Sequence, residues 1–171
     1  MNARRPSTVQ LRSRAATAVA FAAVAGFLAS PGVIAGGHKL PAATNAAWNS
    51  ECGSCHVAYP PSLLPAASWR AIMAGLDRHF GNDATIDAAT AAAIEAFLVA
   101  NAGRDRSKSP AAEPILRITE TRWFRHEHDE VAPATFRSPA IKSATNCGAC
   151  HLNADSGRFS EREIRIPPSK P

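Results

Sequence analysis

At 171 residues, with 46% hydrophobic but only 6% aromatic side chains, the chain has room for one compact domain or two small lobes and few large rings to fill a core. Its formal charge of +5 comes from 19 Lys and Arg against 14 Asp and Glu, and Arg4, Arg5, Arg12 and Arg14 all stand in residues 1–35 with no acid among them. Without that segment the charge is about +1, and no basic patch with interleaved aromatics follows, so a nucleic-acid-binding function is excluded.

Residues 1–35 have the layout of a secretory signal peptide. A basic start leads into an apolar run over 15–29, then a Pro31-Gly32 break, with Val33 and Ala35 as small residues before a cut. The run is shorter than the ~20 residues of a spanning helix, and Arg4-Arg5 continues into Pro-Ser-Thr, unlike a twin-arginine signal. The expectation is cleavage after Ala35, no membrane span thereafter, and export to a periplasm.

The first half, 36–103, is expected to become helical near Trp48 and to run into Cys52-Gly53-Ser54-Cys55-His56, with Tyr59-Pro60-Pro61 as the stop. Pro65 suits a first helical position. From 66 to 80 the helical period places Trp69, Ile72, Met73, Leu76 and Phe80 on one face, with His79 at its edge, and Gly81-Asn82 as the end. Asp87 is expected to cap a further helix, with Ile86 stapled to Ala91, continuing through Ile94, Phe97 and Leu98 to Gly103. Polar, proline-bounded residues 104–114 read as a linker.

The second half, 115–171, opens with an extended stretch to Thr119. A helix over 120–131 follows, capped by Thr119 or Thr121, with Trp123, Phe124 and Val131 on its apolar face. Pro133 and Pro139 bracket an irregular stretch, and Asn146 is placed to cap a short helix carrying Cys147-Gly148-Ala149-Cys150-His151. The charged tail from Phe159 reads as a surface wrap. Outside the two Cys-x-x-Cys-His runs there is no internal repeat.

Those two runs use all 4 cysteines, and they carry the strongest chemical signal in the chain. Two thiols three positions apart can add across the two vinyl groups of one porphyrin, and the next residue then supplies an imidazole to the iron. A zinc ribbon would hold its knuckles roughly 15–20 residues apart, far closer than Cys55 and Cys147. A thioredoxin-like pair needs a βαβ surround that the pattern lacks, and structural disulfides explain neither histidine. The expectation is two haem c groups, attached through Cys52, Cys55, Cys147 and Cys150, with His56 and His151 as proximal ligands. Porphyrin surface would then supply much of the missing core, so folding should depend on haem.

For the sixth ligands His38, His79, His126 and His128 are available, and beyond Met1 the one methionine is Met73. At least one iron is therefore bis-histidine or open. His79 is favoured on its helical edge. His128 falls nearer the apolar face of its helix than His126, which is the alternative and points to the charged side. His38 is near the expected mature terminus, and Met73 suits a core position. Local pairing, His56 with His79 and His151 with His128, is preferred, with a crossed pairing left open.

The run from Glu51 to Gly81, which opens Cys52-Gly53-Ser54-Cys55-His56-Val57-Ala58-Tyr59-Pro60-Pro61, resembles the first haem region of the periplasmic dihaem cytochrome c family. Residues 118–128 and 146–151 resemble its second. The resemblance implies a mainly α fold, a small c-type cytochrome of two haem-binding halves with short helices and long loops packed round the haems. It also implies a soluble, monomeric electron-transfer protein with two low-spin haems, working between a membrane cytochrome b561 and an oxygen-binding monohaem cytochrome c. His79 and His128 match the family's ligand positions, while the His126/His128 doublet departs from its pattern. The competing expectation is a haem enzyme or gas-binding protein with one open iron, acting on oxygen, nitric oxide or peroxide. No Ser/His/Asp set or phosphate loop offers other catalysis. Glu120, Glu127, Asp129 and Glu130 read as a solvated face.

Overall fold

A computed structural model describes residues 40, 43–105 and 113–168. The expected signal segment, His38 and residues 106–112 of the expected linker lie outside the described residues. The fold is mainly α. Among the described residues, short helices and single 3₁₀ turns alternate with loops, and isolated bridges take the place of any strand. No helix among them is long and apolar enough to cross a membrane.

Helix α1 (Ala46–Gly53) starts where the Asn45 side chain accepts the Trp48 N–H at 2.9 Å, and it delivers Cys52 at its last turn. Pro60 and Pro61 then force a turn, Pro61–Leu63. Helix α2 (Ala66–Met73) begins directly after Pro65, which sits at the cap rather than inside the helix. Helix α3 (Ala88–Ala100) is alanine-rich, a composition that favours helix on its own, and the Asp87 carboxylate caps it through the Thr90 N–H at 2.9 Å. Trp48, Leu64, Trp69, Ile94 and Leu98 from these elements form one buried cluster. Trp69 can be buried there because its indole N–H reaches the Pro61 carbonyl at 2.7 Å. Gly103 closes the unit: its N–H donates to the Leu64 carbonyl at 2.9 Å, and a β-carbon at this position would collide with the Ser62 carbonyl.

Several expected elements are shorter than their pattern. The 66–80 helix ends at Met73, and a separate turn, Leu76–Arg78, leads to His79. Gly75 interrupts the periodic run, and the Leu76 carbonyl accepts from Ala84 instead of continuing the helix. His79 therefore heads a tight reversal and is not on a helical edge. Phe80 (φ 50°) and Gly81 (φ 97°) form the reversal's centre, and the Asn82 N–H returns to the His79 carbonyl at 3.1 Å. Phe80 is exposed and not part of the apolar face assigned to it.

The second half departs from its pattern in the same way. Ile118–Glu120 is a turn, and helix α4 (Arg122–Glu127) has only six residues. Thr121 is its cap, accepting the Phe124 N–H at 3.1 Å, and His128 is its C-terminal cap. The stretch after Pro133 is not irregular. Pro133 occupies the first position of helix α5 (Pro133–Phe136), which its fixed φ favours. Asn146 does not cap the second motif, because its side-chain amide donates to the Ile141 carbonyl at 3.0 Å. Cys147–Ala149 is a single 3₁₀ turn. The tail does more than cover surface: the Arg165 N–H donates to the Cys150 carbonyl at 2.9 Å and Ile164 bridges to His151, so it straps the second motif down.

Candidate functional site

The two Cys-x-x-Cys-His motifs are built differently. Cys52 sits on the last turn of α1, and Cys55 and His56 lie exposed just past it. Cys147, Cys150 and His151 are half-buried beside an apolar cleft whose lining includes Trp123, Phe124, Val131, Phe136 and Ile141. No disulfide joins any of the four cysteines. Burial raises the Cys52 and Cys150 thiols above their ordinary range and pushes Cys147 up to about 11. A redox Cys-x-x-Cys pair or a zinc knuckle works through stabilised thiolates, the opposite tendency. Among the described residues no three His, Cys, Asp or Glu gather to hold a metal by themselves, so the two cysteine pairs do not share one zinc ion.

Each proximal histidine faces another imidazole. The ring centroids of His56 and His79 are 6.2 Å apart with planes at 21°, and those of His151 and His128 are 6.1 Å apart with planes at 77°. Two rings that lie face to face on these histidines are closer: Phe124 on His128 at 4.1 Å and 18°, Tyr59 on His56 at 4.6 Å and 19°. The facing histidines are thus not stacked on each other. Their separation is the same at two very different angles. A shared axis through both nitrogens gives that result, since rotation about it leaves the centroids in place. Two metal–imidazole bonds of about 2 Å each, plus the distance from each ring centre to its nitrogen, give about 6 Å between centroids. A single iron fits between the members of each pair.

The ring protons are placed to leave a lone pair for such an iron. A carbonyl oxygen can only accept, so Nδ1 of His56 donates to the Val57 carbonyl (2.7 Å) and Nδ1 of His128 to the Phe124 carbonyl (2.9 Å). With the proton on Nδ1, a neutral ring presents Nε2 as its lone-pair nitrogen in both cases. Burial, then the nearby His56, hold His79 toward the neutral form, and burial, then His128, do the same for His151. The remaining candidates lie elsewhere. The His126 side chain is 81% exposed, 3.9 Å from the Asp129 carboxylate. Met73 packs against the buried cluster of the first half.

The sequence reading passed over the aromatic supports of these histidines. The sequence pattern gives Tyr59 only a helix-stopping role, yet it stacks on His56 and donates its hydroxyl to the Thr145 carbonyl at 2.7 Å, two residues before Cys147. Phe159 belongs by its pattern to a surface tail, yet its ring is 5.4 Å from that of His151. A helical period could not find either, since both act from loops.

Two covalent attachment sequences, each with an imidazole facing its histidine, in a fold of short helices and loops, define a c-type cytochrome with two haems. The sequence pattern of the dihaem cytochrome c family matches residues 48–159. This chain belongs to that family and carries two c-type haems. It is similar to the solved diheme cytochrome c from Rhodobacter sphaeroides, with 44% identity over 68% of this chain and 97% of that one and a TM-score of 0.60. The diheme cytochrome type c from Shewanella baltica is 40% identical over 72% of this chain and 93% of its own, with a TM-score of 0.62. Comparison with the curated proteins gives no match.

Proposed function

We propose that this dihaem cytochrome is an electron carrier whose irons are each closed by two imidazoles, His56 with His79 and His151 with His128. The observation that carries this reading is the common 6.1–6.2 Å spacing of the two facing pairs. Bound haem supplies a one-electron couple at an iron with no open position, which changes charge without binding substrate. The chain's own part is to hold His79 and His151 toward the neutral form by burial, to fix the rings by aromatic contacts and by the Nδ1 hydrogen bonds of His56 and His128, and to keep water from the second site with the apolar side chains around it. His126, exposed and beside Asp129, is left out of both pairs.

The signal-like residues 1–35 support a periplasmic location. A membrane b-type cytochrome as donor and a soluble haem protein as acceptor are the partners that the resemblance suggests, with the chain acting as a monomer between them. Absorption spectra test the reading. The oxidised protein is expected to lack any high-spin band, and the reduced protein to be unchanged by carbon monoxide. A carbon monoxide complex at either haem overturns it in favour of a gas-binding or peroxide-active site.

A further inference from the structure

The two attachment sequences meet at one junction, and Tyr59 is at its centre. Its ring lies face to face on the His56 imidazole, with centroids 4.6 Å apart and planes at 19°. Its hydroxyl donates to the Thr145 carbonyl at 2.7 Å, and the same oxygen accepts the Cys147 N–H at 3.0 Å. A carbonyl oxygen carries two lone pairs, so it can serve both donors at once. Cys147 is the first attachment cysteine of the second motif. Further contacts close the junction around this line. A β-carbon added at Gly148 would stand 3.9 Å from a Val57 methyl, so the residue after His56 lies against the inside of the second motif. Leu63, from the turn that follows Tyr59, reaches the apolar cleft beside His151.

We infer that Tyr59 is the bridge for internal electron exchange between the two haem sites. The inference deepens the electron-carrier reading given above and rests on it. The path runs from the His56 imidazole through the Tyr59 ring and hydroxyl. It crosses the Thr145 oxygen to the Cys147 amide and follows that residue to its sulfur, where the second porphyrin is attached. Electron tunnelling decays steeply across empty space and more slowly along covalent bonds and short hydrogen bonds. The only non-covalent steps on this path are one ring stack and two hydrogen bonds. The Tyr59 bond, at 2.7 Å, has the usual length for an O–H donor. In each exchange one electron leaves a ferrous iron at one site and reduces the ferric iron at the other. No bond forms or breaks, and Tyr59 keeps its proton and is not itself oxidised.

A mere tie between the halves would not need these end points. The Arg117 guanidinium, 4.3 Å over the Phe80 ring, also joins the halves, and it touches neither Cys-x-x-Cys-His sequence through that contact. Tyr59 instead has one end on an iron-binding imidazole and the other on the carbonyl shared with an attachment cysteine.

Proton magnetic resonance of the half-reduced holoprotein tests this. Haem methyl signals shifted by ferric iron report how fast the electron redistributes, and the rate extrapolated to zero protein concentration is the internal one. Tyr59→Phe, which keeps the stacked ring and removes the hydroxyl, should lower that internal rate several-fold. Tyr59→Leu, which also removes the ring, should lower it further. Exchange between molecules, the concentration-dependent part, should stay at the parent value in both. Tyr59→Phe keeps the packing and serves if Tyr59→Leu does not mature. Because the chain has one tyrosine, ultraviolet resonance Raman reads the bond itself in the parent protein, where the hydroxyl is expected as a strong donor. A lower denaturant midpoint with an unchanged internal rate makes Tyr59 a structural tie and overturns the inference, as does a Tyr59 hydroxyl that does not donate. Either result leaves the ligand assignment in place. A high-spin haem in the parent protein instead overturns the ligand assignment itself.

Discussion

His126 and His128 are two residues apart, and the structure gives them opposite surroundings. One is in solvent beside Asp129; the other lies flat on Phe124 and faces His151. His128→Ala is therefore expected to convert one of the two haems to a high-spin form that binds carbon monoxide when reduced, and His126→Ala to leave both spectra unchanged. Optical titration with carbon monoxide reads the stoichiometry, and the opposite pattern would exchange the two assignments. For His79 the sequence reading arrived at a position opposite His56 on a premise that the structure replaces: it is not on a helix. Its ring is aimed by a reversal through Phe80, a bulky residue at positive φ. A residue in that region is held there by what surrounds it. Here the Arg117 guanidinium lies 4.3 Å over the Phe80 ring and the His79 ring meets its edge at 4.8 Å. No local pattern in 76–82 encodes Arg117's part, because that contact comes from the other half of the chain.

At the scale of elements, the helices whose ends are marked by polar caps were legible and those ended by tertiary contacts were not. Asp87 announces α3, and the alanines after it need no neighbour to favour helix. The runs 66–80 and 120–131 have helical periods, but each is cut short where a backbone group finds a partner outside the helix or a histidine takes a capping geometry. α4 is the case with most consequence, since six residues are too few to be stable as an isolated helix. It depends on the Thr121 cap at one end and on Phe124 packing in its middle. Thr121→Ala is expected to destabilise the holoprotein by about 1 kcal/mol, read as a lower denaturant midpoint at unchanged slope, and Thr121→Ser to restore most of it. Because His128 closes this helix, the unfolding transition followed by the low-spin spectrum should move with the midpoint. A Thr121→Ala variant with a wild-type midpoint would mean that α4 is held by its packing alone.

Across the whole molecule the buried apolar residues are unevenly shared. Trp48, Leu64, Trp69, Ile94 and Leu98 form a continuous cluster in the first half, while the second half contributes Phe124, Ile141 and Ala154 to no such cluster. At roughly 1.5–3 kcal/mol for each large apolar side chain buried, the first cluster can hold α1, α2 and α3 together in a way that nothing among the described residues of the second half matches. There the apolar residues line a cleft instead of filling one another's gaps: Trp123, Phe124, Val131, Phe136 and Ile141 surround the space beside His128 and His151. A porphyrin bound between those rings would complete the core of the second half, whereas in the first it would add to a core already formed. Removing haem should therefore affect the halves unequally. With Cys147 and Cys150 both replaced by Ala, the exported protein is expected to keep one haem. The amides of α3 should stay protected from hydrogen exchange, and those over 118–165 should exchange orders of magnitude faster than in the parent protein. With Cys52 and Cys55 replaced instead, the loss of protection over α3 should be much smaller. Equal loss in the two variants would show that the halves fold as one cooperative unit, with Tyr59 and Arg117 coupling them strongly enough to override the difference in their cores.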